Sequence, residues 1–107
     1  MLLVRAIIRP EKVNEVLDEL MIAGYPAVTK MDVFGRGKQK GMIAGSVQYD
    51  EIPKEMLLFF VKDEDKDDLV RILLRTAKTG TGNFGDGRIF VSPVEDAYTV
   101  STGKQGL

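Results

Sequence analysis

The spacing of apolar residues changes twice within the first 25 positions, and each change marks a new element. The run LLVRAII, residues 2–8, is short and rich in branched side chains, and it ends at Arg9 and Pro10. It predicts a buried strand that leads into a helix start. Apolar residues then recur as one helical stripe, and Gly24 stands where a C-terminal cap belongs. The stripe consists of Val13, Val16, Leu17, Leu20 and Met21.

The rest of the chain predicts three more strands and a second helix. Side chains alternate from Ala27 to Phe34, and a continuous apolar run covers residues 55–61, so both segments predict strands. The next segment, residues 62–80, begins with acidic and ends with basic residues, which suits a helix dipole, and it has an inner face of Leu69, Leu73 and Ala77. A last apolar run, residues 88–94, predicts the fourth strand.

The order of these elements predicts one α+β domain over residues 1–107. It matches the ferredoxin-like split βαβ sandwich, with a four-stranded antiparallel sheet and two helices on one face. Residues 56–61 are apolar on both faces. The second face of the sheet is therefore expected to be covered as well, most simply by neighbouring copies of the chain.

Composition narrows the chemistry that the chain can perform. Its 107 residues carry a formal net charge of −1, so no overall field favours nucleic acid or an anionic membrane. The absence of cysteine and histidine removes thiolate and imidazole metal ligands and the usual nucleophilic triads. No apolar stretch reaches the roughly 20 residues that cross a bilayer, so no membrane insertion and a cytoplasmic location are expected.

Two glycine-rich segments are the candidates for function. TGTGNFGDGR, residues 79–88, contains a G-x-G-x-x-G pattern, but it follows a helix and precedes a strand, the reverse of the dinucleotide fingerprint. It is either a structural connection between a helix and a strand or a nest of backbone amides that binds an anion. GRGKQKG, residues 35–41, opens a long loop over residues 35–53. Its cations suit phosphate or carboxylate, although a solvated basic loop explains them equally well.

Together these segments resemble the PII nitrogen-regulatory signal-transduction family. The matching stretches are AIIRPEKVNEV, GRGKQKG, IPK, TAKTG followed by GDGRIFVSPVE, and a TG near the end. The resemblance implies a non-enzymatic sensor, a compact trimer of ferredoxin-like subunits with ATP or ADP in the clefts between them. It also implies a protruding T-loop at about residues 36–53 and a B-loop at about residues 79–88.

The family pattern implies binding residues at defined positions of this chain. Those implied for the nucleotide are Ile7, Thr29, Gly35, Arg36, Gly37, Lys38, Gln39, Gly85, Asp86, Gly87 and Arg88. Those implied for 2-oxoglutarate are Gln39, Lys40, Gly41 and Lys54, and the Gln39 side chain is implied as a ligand of the Mg²⁺ that bridges ATP and 2-oxoglutarate. These residue types suit the implied ligands, because Mg²⁺ prefers hard oxygen ligands and a lysine amine forms a charge-assisted hydrogen bond with a carboxylate.

The chain also departs from the family pattern in three places. Its T-loop is shorter than in members that control glutamine synthetase, and Tyr49 is out of register with the tyrosine that those members uridylylate. Thr99 and Ser101 stand where arginines of a neighbouring subunit often bind phosphate, so triphosphate affinity is expected to be reduced. The B-loop carries extra residues, Gly82 and Asn83 among them.

In sequence the chain is most similar to the nitrogenase-associated PII subgroup of archaea, and within that subgroup to the first of two paralogues. This resemblance implies dinitrogenase as the target, and either a homotrimer or a mixed complex with a paralogous PII-like chain. The alternatives are another target, such as glutamine synthetase or an ammonium channel, or a small hydrolase that uses Asp86 or Glu51.

Overall fold

The computed structural model describes residues 1–36 and 51–107, which form one antiparallel sheet and two helices. Short 3₁₀ turns over Pro10–Lys12 and Asp63–Asp65 precede the helices. The sheet order is β2-β3-β1-β4, so the predicted ferredoxin-like α+β arrangement is confirmed. The elements are β1 (Leu2–Ile8), α1 (Val13–Ile22), β2 (Thr29–Gly35), β3 (Ile52–Val61), α2 (Lys66–Thr76) and β4 (Gly87–Pro93).

One face of the sheet forms the core with both helices. The two central strands contribute alternate side chains, Val4, Ala6 and Ile8 from β1 and Leu57, Phe59 and Val61 from β3. The helices contribute Val13, Val16, Leu20, Leu69, Ile72, Leu73 and the following Ala77. The predicted inner face of α2 is therefore confirmed.

The stripe predicted for α1 is wrong at one end. Met21 was expected on the inner face, but its side chain is 64% exposed. The buried residues of the helix are Val13, Val16 and Leu20, Leu17 is partly buried against the core, and each further residue turns about 100° around the axis. Met21 is thereby carried away from the sheet, while Gly24 has the expected left-handed conformation with φ of +95°.

The long loop is shorter at its ends than the sequence predicted. Gly35 belongs to β2, and β3 begins at Ile52, so that Pro53 pairs with Phe34. Since β1 ends opposite Glu55, Pro53 has a neighbouring strand on one side only, where a missing N–H is tolerated. The interior of the predicted T-loop, residues 37–50, lies outside the described residues.

The second face of the sheet has no covering layer from the described residues, and we call it the open face. It consists of the odd-numbered residues of β1 and β2 and the even-numbered residues of β3 and β4. It is largely apolar, yet Met31, Phe60 and Phe90 are each more than 40% exposed. No helix within residues 1–36 and 51–107 is long and apolar enough to span a membrane.

Candidate functional site

A cleft of about 730 Å³ opens at the end of the sheet where β1 and β2 finish and β3 and β4 begin. The strand ends and the glycine loop before β4 line it. The lining residues are Ile7, Gly35, Arg36, Lys54, Asn83, Phe84, Gly85, Asp86, Gly87, Arg88 and Phe90. The cleft thus unites the two glycine-rich segments that the sequence separates.

Gly87 allows the glycine loop to pass directly against the end of β1. Its φ is +119°, and a Cβ at this position would lie 1.9 Å from the carbonyl oxygen of Ile7. Gly87 is also the first residue of β4 and pairs with Ile8. Only glycine combines this backbone conformation with this close approach.

Asp86 holds the glycine loop together from within. Its Oδ2 accepts hydrogen bonds from the backbone N–H of Asn83 at 2.9 Å and of Thr79 at 3.1 Å. Its Oδ1 accepts from the Thr79 hydroxyl and from Nε of Arg9 at 3.0 Å. Arg9 also donates through Nη2 to the carbonyl oxygen of Phe84 at 2.9 Å. The carboxylate is therefore engaged by the loop itself and by Arg9.

These contacts keep the Asp86 carboxylate ionised. Partial burial acts to raise the pKa of Asp86, but hydrogen bonds from the Thr79 hydroxyl, from backbone N–H groups and from Arg9 outweigh it and hold the pKa well below its ordinary value. A depressed folded pKa stabilises the fold fully above the unfolded pKa of about 4. This contribution is lost as the pH falls through the folded pKa.

We expect Asp86→Asn to destabilise the protein by about 2–3 kcal/mol at pH 7, because it removes charge-assisted hydrogen bonds. The loss should shrink as the pH falls below about 4, where the wild type begins to lose the same contribution. Urea unfolding at several pH values measures both effects. The control is Asp18→Asn, an exposed carboxylate on α1. Equal pH dependence in the two variants would contradict the role given to Asp86.

Lys54 is a buried amine at the same cleft. The residue is 8% exposed, and its Nζ donates a hydrogen bond to the carbonyl oxygen of Gly85. Burial is the main cause that lowers the pKa of Lys54, and the charge of Arg9 adds to it, while Glu11 and Asp86 act in the opposite direction. Within the described residues no carboxylate is within ion-pair distance of this amine. A buried cation in this setting is expected to bind an anionic group strongly.

The charges of the lining suit an anionic ligand. Arg36, Lys54 and Arg88 line the cleft, and the one carboxylate in its described lining is Asp86. Asp86 is itself paired with Arg9 and with loop donors, and the described lining carries more positive than negative charge. Phosphate and carboxylate are the groups that this combination binds best.

The sequence of the chain matches the family described as nitrogen regulatory protein P-II over residues 1–104. The chain belongs to the PII family. Members of this family are regulatory signalling proteins, so the expectation that the chain is not an enzyme is confirmed.

Several named relatives of the chain are GlnB-like proteins of nitrogen-fixation regions. It is 57% identical over 107 residues to "Nitrogen fixation nifHD region GlnB-like protein 1" of Methanobacterium ivanovii, with 100% of each chain covered. It is 56% identical over 108 residues to the protein of the same name from Methanothermobacter marburgensis, again with 100% of each covered. To "GlnB-like protein 2" of the nifHD region of Methanothermococcus thermolithotrophicus it is 39% identical over 121 residues, covering 94% of this chain and 91% of that protein. The expected subgroup, and the first paralogue within it, are thereby confirmed.

The cleft contains most of the binding residues that the PII pattern predicts in the described part of the chain. They are Ile7, Gly35, Arg36, Lys54, Gly85, Asp86, Gly87 and Arg88. Thr29 is absent from the lining, because it lies at the opposite end of β2 from Gly35, about 20 Å away at the usual rise of a strand. The predicted residues Gly37, Lys38, Gln39, Lys40 and Gly41, and also Tyr49, lie outside the described residues.

Three residues that support the site were not predicted. Arg9 was interpreted only as the end of a strand, and Thr79 only as the start of the B-loop, but both bind Asp86. Asn83 joins them through its backbone and also donates from its side chain to the carbonyl oxygen of Thr79 at 2.9 Å. The sequence signal that could have indicated them was Asp86, the single acidic residue of a glycine-rich loop. A carboxylate that is partly buried needs hydrogen-bond donors around it.

Thr99 and Ser101 lie outside the described lining of the cleft, in an exposed turn near the C-terminus. The backbone N–H of Thr99 donates to Lys104 at 2.8 Å, and its carbonyl oxygen accepts from Gly103 at 2.7 Å. Neither residue therefore lines the cleft of its own chain.

Proposed function

We propose that this PII protein senses ATP or ADP together with 2-oxoglutarate and controls nitrogenase by direct binding according to nitrogen status. One observation carries the proposal. A single cleft combines a preorganised B-loop, the cations Arg36 and Arg88, and the buried amine of Lys54. Its chemistry suits the phosphates of a nucleotide and the carboxylates of 2-oxoglutarate.

The B-loop is the part of the cleft that suits phosphate. Asp86 fixes its shape, Gly85 and Gly87 have positive φ, and Arg88 adds a cation. Ile7, Gly35 and Arg36 would contact the rest of the nucleotide. Gly37, Lys38 and Gln39 are proposed to complete the site, with Gln39 holding Mg²⁺. When bound, Mg²⁺ would neutralise phosphate charge and join it to 2-oxoglutarate through oxygen ligands.

Lys54 suits one carboxylate of 2-oxoglutarate. Its amine is already desolvated, so a charge-assisted contact forms there without the cost of removing water. Gln39 and the backbone around Lys40 and Gly41 are proposed to receive the other oxygens. Binding of 2-oxoglutarate would then require the nucleotide and Mg²⁺ to be present.

The proposed assembly is a cytoplasmic trimer, built from this chain alone or mixed with a paralogous PII-like chain. Two observations support neighbouring subunits at the site. The open face is apolar and has no cover from the described residues, and Thr29 is too far from the cleft of its own chain to contribute to it. In the trimer Thr29 would line the cleft of an adjacent subunit.

The proposed target is dinitrogenase, contacted by the T-loop. The relatives named for a nitrogen-fixation nifHD region support this target over glutamine synthetase or an ammonium channel. An effector can shift the loop only as far as it binds one loop state more tightly than another. ATP with 2-oxoglutarate is therefore proposed to favour a state that releases the enzyme.

Calorimetric titration tests the proposed sensing. We expect 2-oxoglutarate to bind the purified protein in the presence of MgATP and to show no binding with MgADP or without nucleotide. Binding of the purified protein to dinitrogenase should weaken when both effectors are added. If 2-oxoglutarate changes neither nucleotide affinity nor binding to dinitrogenase, the proposal is wrong. If the protein preferentially captured glutamine synthetase or an ammonium channel, that protein would replace dinitrogenase as the proposed target.

A further inference from the structure

Phe84 of the B-loop is more exposed than any other aromatic side chain that the structure describes. Its exposed fraction is 81%, although the residue borders the ligand cleft. A single exposed apolar side chain is ordinary on a protein surface, so exposure alone assigns Phe84 no role. The role follows from the way in which the surrounding loop holds it.

A β-turn places Phe84 at the corner of the B-loop. The backbone N–H of Asp86 donates to the carbonyl oxygen of Asn83 at 3.2 Å, so these two residues close a turn in which Phe84 is the second residue. The third residue, Gly85, has a φ of +93°, as the third residue of a type II turn requires. The aromatic ring therefore stands at the corner of a defined turn and not on a frayed end of the chain.

The contacts that fix this turn do not involve the aromatic ring. Nη2 of Arg9 donates to the carbonyl oxygen of Phe84 at 2.9 Å. Oδ2 of Asp86 accepts from the backbone N–H of Asn83 at 2.9 Å, and the Asn83 side chain donates to the carbonyl oxygen of Thr79 at 2.9 Å. Because the backbone is already ordered, a partner that buries the ring loses little loop entropy on binding. Phe84 thus has the properties of a rigid aromatic anchor.

The position of Phe84 favours a protein over a small ligand as the partner of its ring. Arg36, at the base of the T-loop, lines the same cleft as Phe84, so a protein that contacts the T-loop approaches the B-loop as well. Phosphate and carboxylate groups bind to cations and backbone amides and gain little from a phenyl ring. A ring that lies largely in solvent suits an apolar pocket on a protein surface instead.

We propose that Phe84 is an anchor through which the B-loop binds dinitrogenase, in an apolar pocket beside the contact with the T-loop. This inference rests on the proposed function in one respect, that dinitrogenase is the target. It adds a second contact, made by a loop whose turn is fixed by the chain's own hydrogen bonds. Gly85 and Asp86 directly follow Phe84 and line the ligand cleft, so one short loop serves both the ligand and the target.

Phe84→Ala tests the anchor. The substitution should weaken binding to dinitrogenase by about ten- to hundredfold, as loss of a central aromatic contact does. Affinities for MgATP and 2-oxoglutarate should stay unchanged, because the hydrogen bonds of the loop come from other side chains and from the backbone. Surface plasmon resonance without effectors measures the first affinity, and calorimetric titration measures the other two.

Ile22→Ala is the matched control. Ile22 is 82% exposed at the end of α1, outside the described lining of the cleft, and its truncation should leave binding to dinitrogenase unchanged. If Phe84→Ala bound dinitrogenase as tightly as the wild type, the anchor would be wrong and the proposed target would stand. If the variant lost affinity for MgATP or 2-oxoglutarate, Phe84 would be a ligand contact, and the anchor would again be wrong. Absence of binding by the wild type itself would overturn both the target and the anchor.

Discussion

Gly87→Ala is expected to destabilise the protein by roughly 4 kcal/mol and to abolish nucleotide binding. The new Cβ would lie 1.9 Å from the carbonyl oxygen of Ile7, so the B-loop and the end of β1 would have to separate. A left-handed backbone conformation adds about 1 kcal/mol of strain for alanine, and displacement of packed backbone adds the rest. Such a loss is large against the 5–15 kcal/mol that typically stabilises a domain.

Gly82→Ala is a matched control for this experiment. Gly82 lies in the same loop and has nearly the same φ, +117°, but a Cβ there would meet nothing within 4 Å. It should therefore cost only the strain of about 1 kcal/mol. Urea unfolding measures the free energy of unfolding of each variant, and calorimetric titration with MgATP measures its nucleotide binding. If the two variants lose equal stability, the contact with Ile7 is not what requires glycine at position 87.

Local patterns predicted the elements of the fold well, because each depends on its neighbours in sequence. The apolar run of β1 was predicted with its observed bounds, and the inner face of α2 followed from its period. The errors came from contacts that a local pattern does not contain. Pro53 joins β3 because β1 has already ended beside it, and Met21 is exposed because the core packs on the side of α1 that carries Val13, Val16 and Leu20.

The site was predictable to a smaller extent. Resemblance to the PII pattern indicated the glycine loop and Lys54 as candidates, and the cleft brings them together. Neither the resemblance nor the spacing indicated that Arg9 would cross to Asp86, since these residues are far apart in sequence and meet only through the pairing of β1 with β4. The burial of Lys54 was also hidden, because a lysine next to Glu55 in a strand gives no sign that its amine lies under Gly85.

The other large effect expected is the loss of 2-oxoglutarate binding in Lys54→Met. Removing a charge-assisted contact to a carboxylate should weaken 2-oxoglutarate by about ten- to hundredfold in the presence of MgATP. Burial lowers the pKa of Lys54, which means that the folded state holds the charged amine less favourably than the unfolded chain does. This cost to stability is present below the folded pKa and disappears as the pH rises above it.

Methionine has a similar length and no charge, so Lys54→Met removes the desolvation cost of the amine but also its hydrogen bond to the carbonyl oxygen of Gly85, and stability at pH 7 should change by no more than about 1 kcal/mol. Weaker binding would then reflect a lost contact instead of a lost fold. Lys30→Met makes the same substitution at an exposed position on β2 and should leave 2-oxoglutarate affinity unchanged. If Lys54→Met bound 2-oxoglutarate with wild-type affinity, the Lys54 amine would not be part of the proposed binding site. The desolvated lysine would then be only a structural partner of Gly85, and the carboxylate would have to be bound by the T-loop alone.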